Sequence, residues 1–473
     1  MHLLFKCIIL FFLTTGVSFS GLFNHQTFTL QNGLRVYILP HAFSPMINVA
    51  LYYQIGTADD PRHQHGLSHF VEHMLFKGTQ KVQKGVFDAL MLQQGALYNA
   101  HTTPDYTVYD ATIAKDQLEL VLFLESDRMR HLTFTEDDVR FEREVVHEER
   151  AMRLDNSPFG KVTEVYLKSL YWKHPYGIPA IGYPEHIDAY DYDAVRQHYE
   201  TYYVPNNAIL VITGAVDVHT VQPLVEKYFG PFQKKDLPKR VRMEEPSHEG
   251  TLFSLTHYAA RSYLTSLALS YAAPCFFSHD KEHVLPLIIL VNILTGNELS
   301  RFYKLFVEDE KILASIYIDY RYSSLNPMPM EIEMVLGEGV SVDTMQRRME
   351  NEIGKLVSEG ITEDEVSRAK KDLVGQLAFM KDGVHGMASA FSGIAVGVPL
   401  DLLEDWDKHI NAVTQEQVNA SIKHVFDKQK LGSMILYPQT EKNLIHKVNS
   451  SNTSSFFLVF FEKIKHWVQK VIH

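Results

Sequence analysis

The sequence predicts an α+β protein of two homologous domains, each a mostly antiparallel sheet packed with helices, with a metal site in the first alone. Three observations carry this. The chain has 473 residues, more than one average domain needs. Strand-like and helix-like segments recur in the same outline order on either side of a charged, proline-punctuated stretch, Lys234–Pro246. The pattern His69-x-x-Glu72-His73, set within an apolar helical periodicity, lies before that stretch.

Taken in order, residues 1–20 carry Lys6, the apolar run Cys7–Leu13 and small residues at Ser18 and Ser20, the pattern of a signal peptide cleaved before Gly21. Export follows, into the periplasm if the source is bacterial. Cys7 would leave with that segment, and Cys275 alone cannot form an internal disulfide. The formal charge of −12 gives no support to nucleic-acid binding and suits a cationic substrate.

Thr27–Leu39 reads as two strands around Asn32-Gly33, a strong hairpin signal. Ile47–Ile55, rich in β-branched and aromatic residues, is a further strand. In residues 65–78, Leu67, Phe70, Val71, Met74 and Leu75 recur at helical spacing and predict an amphipathic helix whose polar side holds His69, Glu72 and His73. A second helix over Lys84–Gln94 precedes strand-like residues from Gly95 to Ile113. Residues 116–131 are helical, and Thr135 with Asp138 opens another helix through a capping box. That helix runs to about Leu154, where Asn156-Ser157-Pro158 breaks it. Tyr202–Gly214 is a turn feeding a buried strand, and residues 219–229 are helical.

Beyond a linker at 233–250 the reading gives a strand over Tyr263–Tyr271, a helix near 280–294, strands near 313–336, and helices near 341–358 and 362–380. The domains are thus 21–232, catalytic, and 251–445, non-catalytic. Residues 446–473 form a tail in which Phe457, Phe460, Ile464, Trp467 and Val471 share a helical stripe, suited to a membrane surface or to a protein partner.

His69 and His73 project within about 40° of each other, one turn apart, and can share one metal ion. Glu72, beside both, is placed as general base. Catalytic zinc takes three protein ligands, and among Glu142, Glu144, Glu148 and Glu149 the residues alone leave the third open.

His69–Thr79, Asn99-Ala100, Arg143–Glu149, His174-Pro-Tyr-Gly177, Ile181-Gly182 and Tyr203-Val-Pro-Asn-Asn207 together resemble the M16 (pitrilysin/insulinase) zinc metallopeptidases, in particular the short two-domain members typified by mitochondrial processing peptidase and its bacterial homologues. The resemblance implies one zinc ion per chain held by His69, His73 and Glu149, with Glu72 as base and Glu142 supporting the ligands through hydrogen bonds. It assigns Asn99 and Ala100 to an edge strand that binds peptide by strand addition. His101 receives no metal role. An Arg and a Tyr that self-sufficient members carry in the second domain fall at Val307 and Ala314, with Tyr317 out of register as a substitute. That departure implies a dimer, with a non-catalytic chain of the same family or with a second copy. The function expected is zinc-dependent endoproteolysis of peptides or unfolded segments; the alternative is a non-catalytic core or assembly subunit of the same fold.

Overall fold

The computed structural model describes residues 21–246, 252–259, 262–426 and 431–439. The segments read as signal peptide and tail lie outside the described residues. Among the described residues, eleven strands make two sheets. The first contains β1 (Gln26–Thr29), β2 (Arg35–Pro40), β3 (Met46–Tyr53), β4 (Leu97–Thr102), β5 (Thr107–Ala114) and β6 (Ala208–Gly214), in the order β1-β2-β6-β3-β5-β4. The second contains β7 (Phe253–Ala259), β8 (Ser266–Tyr271), β9 (Leu313–Asp319), β10 (Met330–Leu336) and β11 (Gly432–Pro438), in the order β7-β11-β8-β10-β9.

Apart from β1, which forms the expected hairpin with β2, the two orders are the same: first, fifth, second, fourth and third strand of each unit. Each sheet has one parallel pair, β2 with β6 and β7 with β11, and is otherwise antiparallel. The duplication extends to the helices. The motif helix Leu67–Met74 leaves β3 as Val284–Thr295 leaves β8, and Glu136–Arg150 corresponds to Glu363–Met380. These last two open on the same capping box, Thr135-Glu-Asp-Asp138-Val and Thr362-Glu-Asp-Glu365-Val, with both reciprocal hydrogen bonds made in each.

Each half covers the back of the other's sheet. Met387, Phe391, Ile394 and Ala395 of the second half pack on Leu39, Ala50, Tyr52, Ile209 and Val211, so β3 and β6 are buried on both faces. In return the helix Pro158–Leu170 lies on β7 and β11, where Tyr166 shares a 2.7 Å hydrogen bond with Ser270. The break expected at residues 156–158 is a restart: a π-helical turn, Ala151–Asp155, ends one helix, and the Ser157 hydroxyl accepts from the Gly160 N–H at 3.1 Å to cap the next. Glu404 fastens the start of the described chain to the second half, accepting from the N–H groups of Phe23 (2.8 Å) and His25 (3.2 Å).

Candidate metal and active site

The motif helix is held from its first turn. Asp60 accepts from the N–H groups of Gly66 (2.8 Å) and Ser68 (3.1 Å) and from the Ser68 hydroxyl (2.6 Å), satisfying donors that a helix start leaves open. Gly66 has φ +100°, and a Cβ there would lie 2.7 Å from the Ile181 carbonyl oxygen. Reciprocally, a Cβ on Gly182 (φ +81°) would collide with the His65 carbonyl oxygen. Close approach of two backbones thus explains both glycines.

The polar side of this helix is enclosed: His69 and Glu72 are buried and His73 is half-buried. The helices Glu136–Arg150 and Tyr192–Tyr202 and strand β4 pack against the motif helix.

Three side chains converge in that enclosure. His73 Nε2 lies 3.1 Å, and His69 Nε2 3.6 Å, from Glu149 Oε2, and one ligand atom from each of the three falls within 4.8 Å of the others. Two ligands about 2.0 Å from a tetrahedral ion stand about 3.3 Å apart, so these separations are close to the edges of a zinc coordination tetrahedron. The set of two imidazoles and one carboxylate matches the three protein ligands of catalytic zinc.

The partners of the three fix their aim. Glu142 Oε1 accepts from His73 Nδ1 at 2.9 Å, which directs Nε2 toward Glu149, and the other Glu142 oxygen pairs with Lys77. Arg153, one turn beyond Glu149, binds Glu149 Oε1 at 2.8 Å and leaves Oε2 to the histidines. Burial lowers His69 to about 4, so its imidazole is neutral and able to ligate. Burial acts the same way on His73, but the hydrogen bonds to Glu142 and Glu149 outweigh it and lift that imidazole to about 9. Burial opposes ionisation of both carboxyls and is the largest single effect, but the hydrogen bond to His73 together with Lys77 at Glu142, and with His69 and Arg153 at Glu149, outweighs it, and both fall below the ordinary value. Glu72 is pushed up by burial and held back by the Thr102 hydroxyl, which donates to its Oε2 at 2.6 Å.

Thr102 ends β4, the edge strand, whose outer side has no partner among the described residues. Ala100 is half-buried against the core, and Asn99 is exposed, its Oδ1 accepting from the Ala100 N–H at 2.9 Å. Glu144, Glu148 and His101 are exposed and stand outside the converging set. Lys77, Thr102 and Arg153 escaped the sequence reading, although Arg153 lies four residues after Glu149, on its partner's side. In the second half, Val307 packs against that domain's core, Ala314 is exposed on β9, and the Tyr317 side chain is exposed on the same strand.

Fold and site point to a metallopeptidase of two related domains, one of them carrying three side chains that could hold a metal ion. The family description Insulinase (Peptidase family M16) matches residues 36–182, and Peptidase M16 inactive domain matches residues 189–373. The chain belongs to the M16 peptidase family.

It is 30% identical over 295 residues to the zinc protease PqqE of Helicobacter pylori, covering 62% of this chain and 65% of that protein. It is 26% identical over 292 residues to the uncharacterized zinc protease YmxG of Bacillus subtilis, covering 62% and 69%. The matched segment is therefore just under two thirds of the Helicobacter relative. Among solved structures, a protease from Helicobacter pylori superposes with TM-score 0.82 at 24% identity, over 89% of this chain and all of that one. A putative M16-like peptidase from Alicyclobacillus acidocaldarius gives 0.79 at 21%, over 88% and 98%. These two likenesses establish the fold.

Proposed function

We propose that the chain is a zinc-dependent endopeptidase that hydrolyses peptides or small unfolded segments, and that it works as the catalytic subunit of a dimer. The observation that carries this is the convergence of His69 Nε2, His73 Nε2 and Glu149 Oε2 beside a buried carboxylate, Glu72, on a strand edge open to a peptide. Zinc, when bound, supplies Lewis acidity toward the scissile carbonyl and makes water a nucleophile near neutral pH.

The chain's residues do the rest. Asn99 and Ala100 of β4 offer backbone to an added strand, which reads the main chain of a substrate more than its side chains. Glu72 takes the proton of the attacking water and returns it to the leaving amine; its burial-raised pKa suits both transfers. Val307 and Ala314 have no side-chain donor for the developing oxyanion, a contribution typically worth about 3 kcal/mol. A second chain, a non-catalytic relative or another copy, supplies it in our reading. The reading also takes residues 1–20 as an export signal.

Glu72→Gln keeps the shape of the side chain and removes the base. Peptide cleavage should fall by at least about a hundredfold, with zinc content per chain unchanged. Full cleavage by this variant would refute the assignment, and absence of cleavage by the wild-type chain in every assembly would favour the non-catalytic subunit.

A further inference from the structure

The segment joining the two halves is more than a tether. Arg242 lies in it, nearly buried, and its guanidinium grips two parts of the first domain at once. Nε and Nη2 each donate to one oxygen of Asp59 at 2.9 Å, a bidentate pair. Nη1 reaches Asp105 Oδ1 at 2.5 Å and Nη2 the Pro104 carbonyl at 3.2 Å. Arg240 adds bonds to Asp59 (2.7 Å) and to the Asp105 carbonyl (2.6 Å).

Both carboxylates sit next to the machinery. Asp59 precedes Asp60, which caps the motif helix. Asp105 is in the turn between β4 and β5, three residues after Thr102. Backbone bonds stitch the same two segments, Thr57 N–H to the Thr103 carbonyl (3.1 Å) and Ala58 N–H to the Pro104 carbonyl (3.0 Å).

The second half closes the cluster. Leu325 N–H donates to Asp105 Oδ2 at 3.1 Å, Asn326 Oδ1 accepts from Arg242 Nη1 at 3.2 Å, and Asn326 N–H donates to the Tyr176 hydroxyl at 3.2 Å. Tyr176 in turn donates to Asp105 at 2.7 Å. The Arg242, Asp59 and Asp105 side chains are all no more than 7% exposed, so each charge depends on the others for its solvation.

We propose that Arg242 is a positioning residue for the peptide edge: through it, and through the loop carrying Leu325 and Asn326, the metal-free second half holds β4 in register with the motif helix. The inference rests on the peptidase reading of that edge. It gives the second half a part in the site without any ligand or base of its own. Lysine cannot make the bidentate pair with Asp59 and reach Asp105 together, so Arg242→Lys loosens the junction while keeping the charge.

The test measures binding, not turnover. In a Glu72→Gln background, with zinc content checked, the affinity for a fluorescein-labelled, unstructured cationic peptide is read by anisotropy for Arg242 and for Arg242→Lys. The inference expects Kd to rise about tenfold or more, since a displacement of about 1 Å is enough for such losses, with zinc content unchanged. An unchanged Kd, whatever happens to the melting temperature, makes Arg242 merely structural and overturns it. If the lysine variant does not fold, Asn326→Ala, which removes only the second half's acceptor, decides by the same criterion with an expected rise of a few-fold. A parent that binds no peptide defeats the peptidase reading itself; a parent that binds with variants that bind equally defeats only this inference.

Discussion

Replacing Glu142 by alanine separates the support of the ligands from the ligands themselves. The carboxylate is 5% exposed, accepts from His73 Nδ1 at 2.9 Å and pairs with the Lys77 ammonium. Alanine leaves the imidazole free to rotate or to change tautomer, and leaves Lys77 without its anion. Partners of this kind are typically worth about 10–100-fold in metal affinity, or about 1.4–2.8 kcal/mol. Loss of the buried acceptor should also lower the stability of the metal-free protein by about 1–3 kcal/mol.

The assay is zinc competition against a chromophoric chelator at fixed pH, with urea denaturation of the metal-free protein alongside. Glu144→Ala and Glu148→Ala are the controls: both remove the same charge from the same helix but from exposed positions, so long-range electrostatics would show equally in them. Zinc affinity of Glu142→Ala within about threefold of wild type would refute the claim that this hydrogen bond positions His73. Equal losses in the controls would refute it too, by assigning the effect to helix charge.

Thr102→Val removes a donor to the Glu72 carboxylate, so the ionised form loses support and its pKa rises. A hydrogen bond worth about 1 kcal/mol moves the acidic limb of the kcat/KM profile to higher pH by about 0.7; an unmoved limb would count against Glu72 as the titrating base. His198 is fully buried, lies 3.2 Å from the Ser68 hydroxyl, and is lowered by burial to about 3. Its folded pKa is below the ordinary 6.5, so its stabilising contribution is complete above pH 6.5 and is lost as pH falls toward 3. Between pH 7 and 4 that loss is about 3 kcal/mol, and His198→Gln, compared with wild type by urea denaturation across that range, should show an acid limb flatter by this amount.

The motif helix was legible because five apolar residues at helical spacing leave only one way to face a core, and the capping box at Thr135 was legible because it is local. The burial of its polar side was not, since the elements packed against the helix include residues 97–102, 136–150 and 192–202, far along the chain. The sequence reading assigned no strand to β7 or β11. β7 alternates exposed and half-buried residues from Phe253 to Tyr258, yet its parallel partner is the last described strand, and alternation names a strand without naming its neighbour. Glu149 could not be chosen over Glu142, Glu144 and Glu148 from helix spacing alone, because Glu142 and Glu149, seven apart, share a face; only the position of His73 between them gives one a nitrogen to orient and the other a ligand's place.

The duplicated frame also explains why one half is silent. Seven and fourteen residues after the cap Thr135 stand Glu142 and Glu149; at the same distances from Thr362 stand Ala369 and Gln376. Ala369 is buried in the second core, where a carboxylate would have no histidine to meet, because Val284–Thr295 carries no titratable side chain at all. That helix is buried on nearly every side against Glu363–Met380, Gln415–Phe426 and its own sheet. Its counterpart in the first half gives up part of such packing to place two imidazoles and one carboxylate in an enclosure, and needs Asp60, Glu142, Lys77 and Thr102 to hold them. The second half therefore retains geometry and has lost chemistry. What geometry can still do is hold a loop against Asp105, and what it cannot do, with valine at 307 and alanine at 314, is donate a side-chain hydrogen bond to an oxyanion from those positions. The first supports the role given to Arg242, and the second is the reason our proposed function calls for another chain.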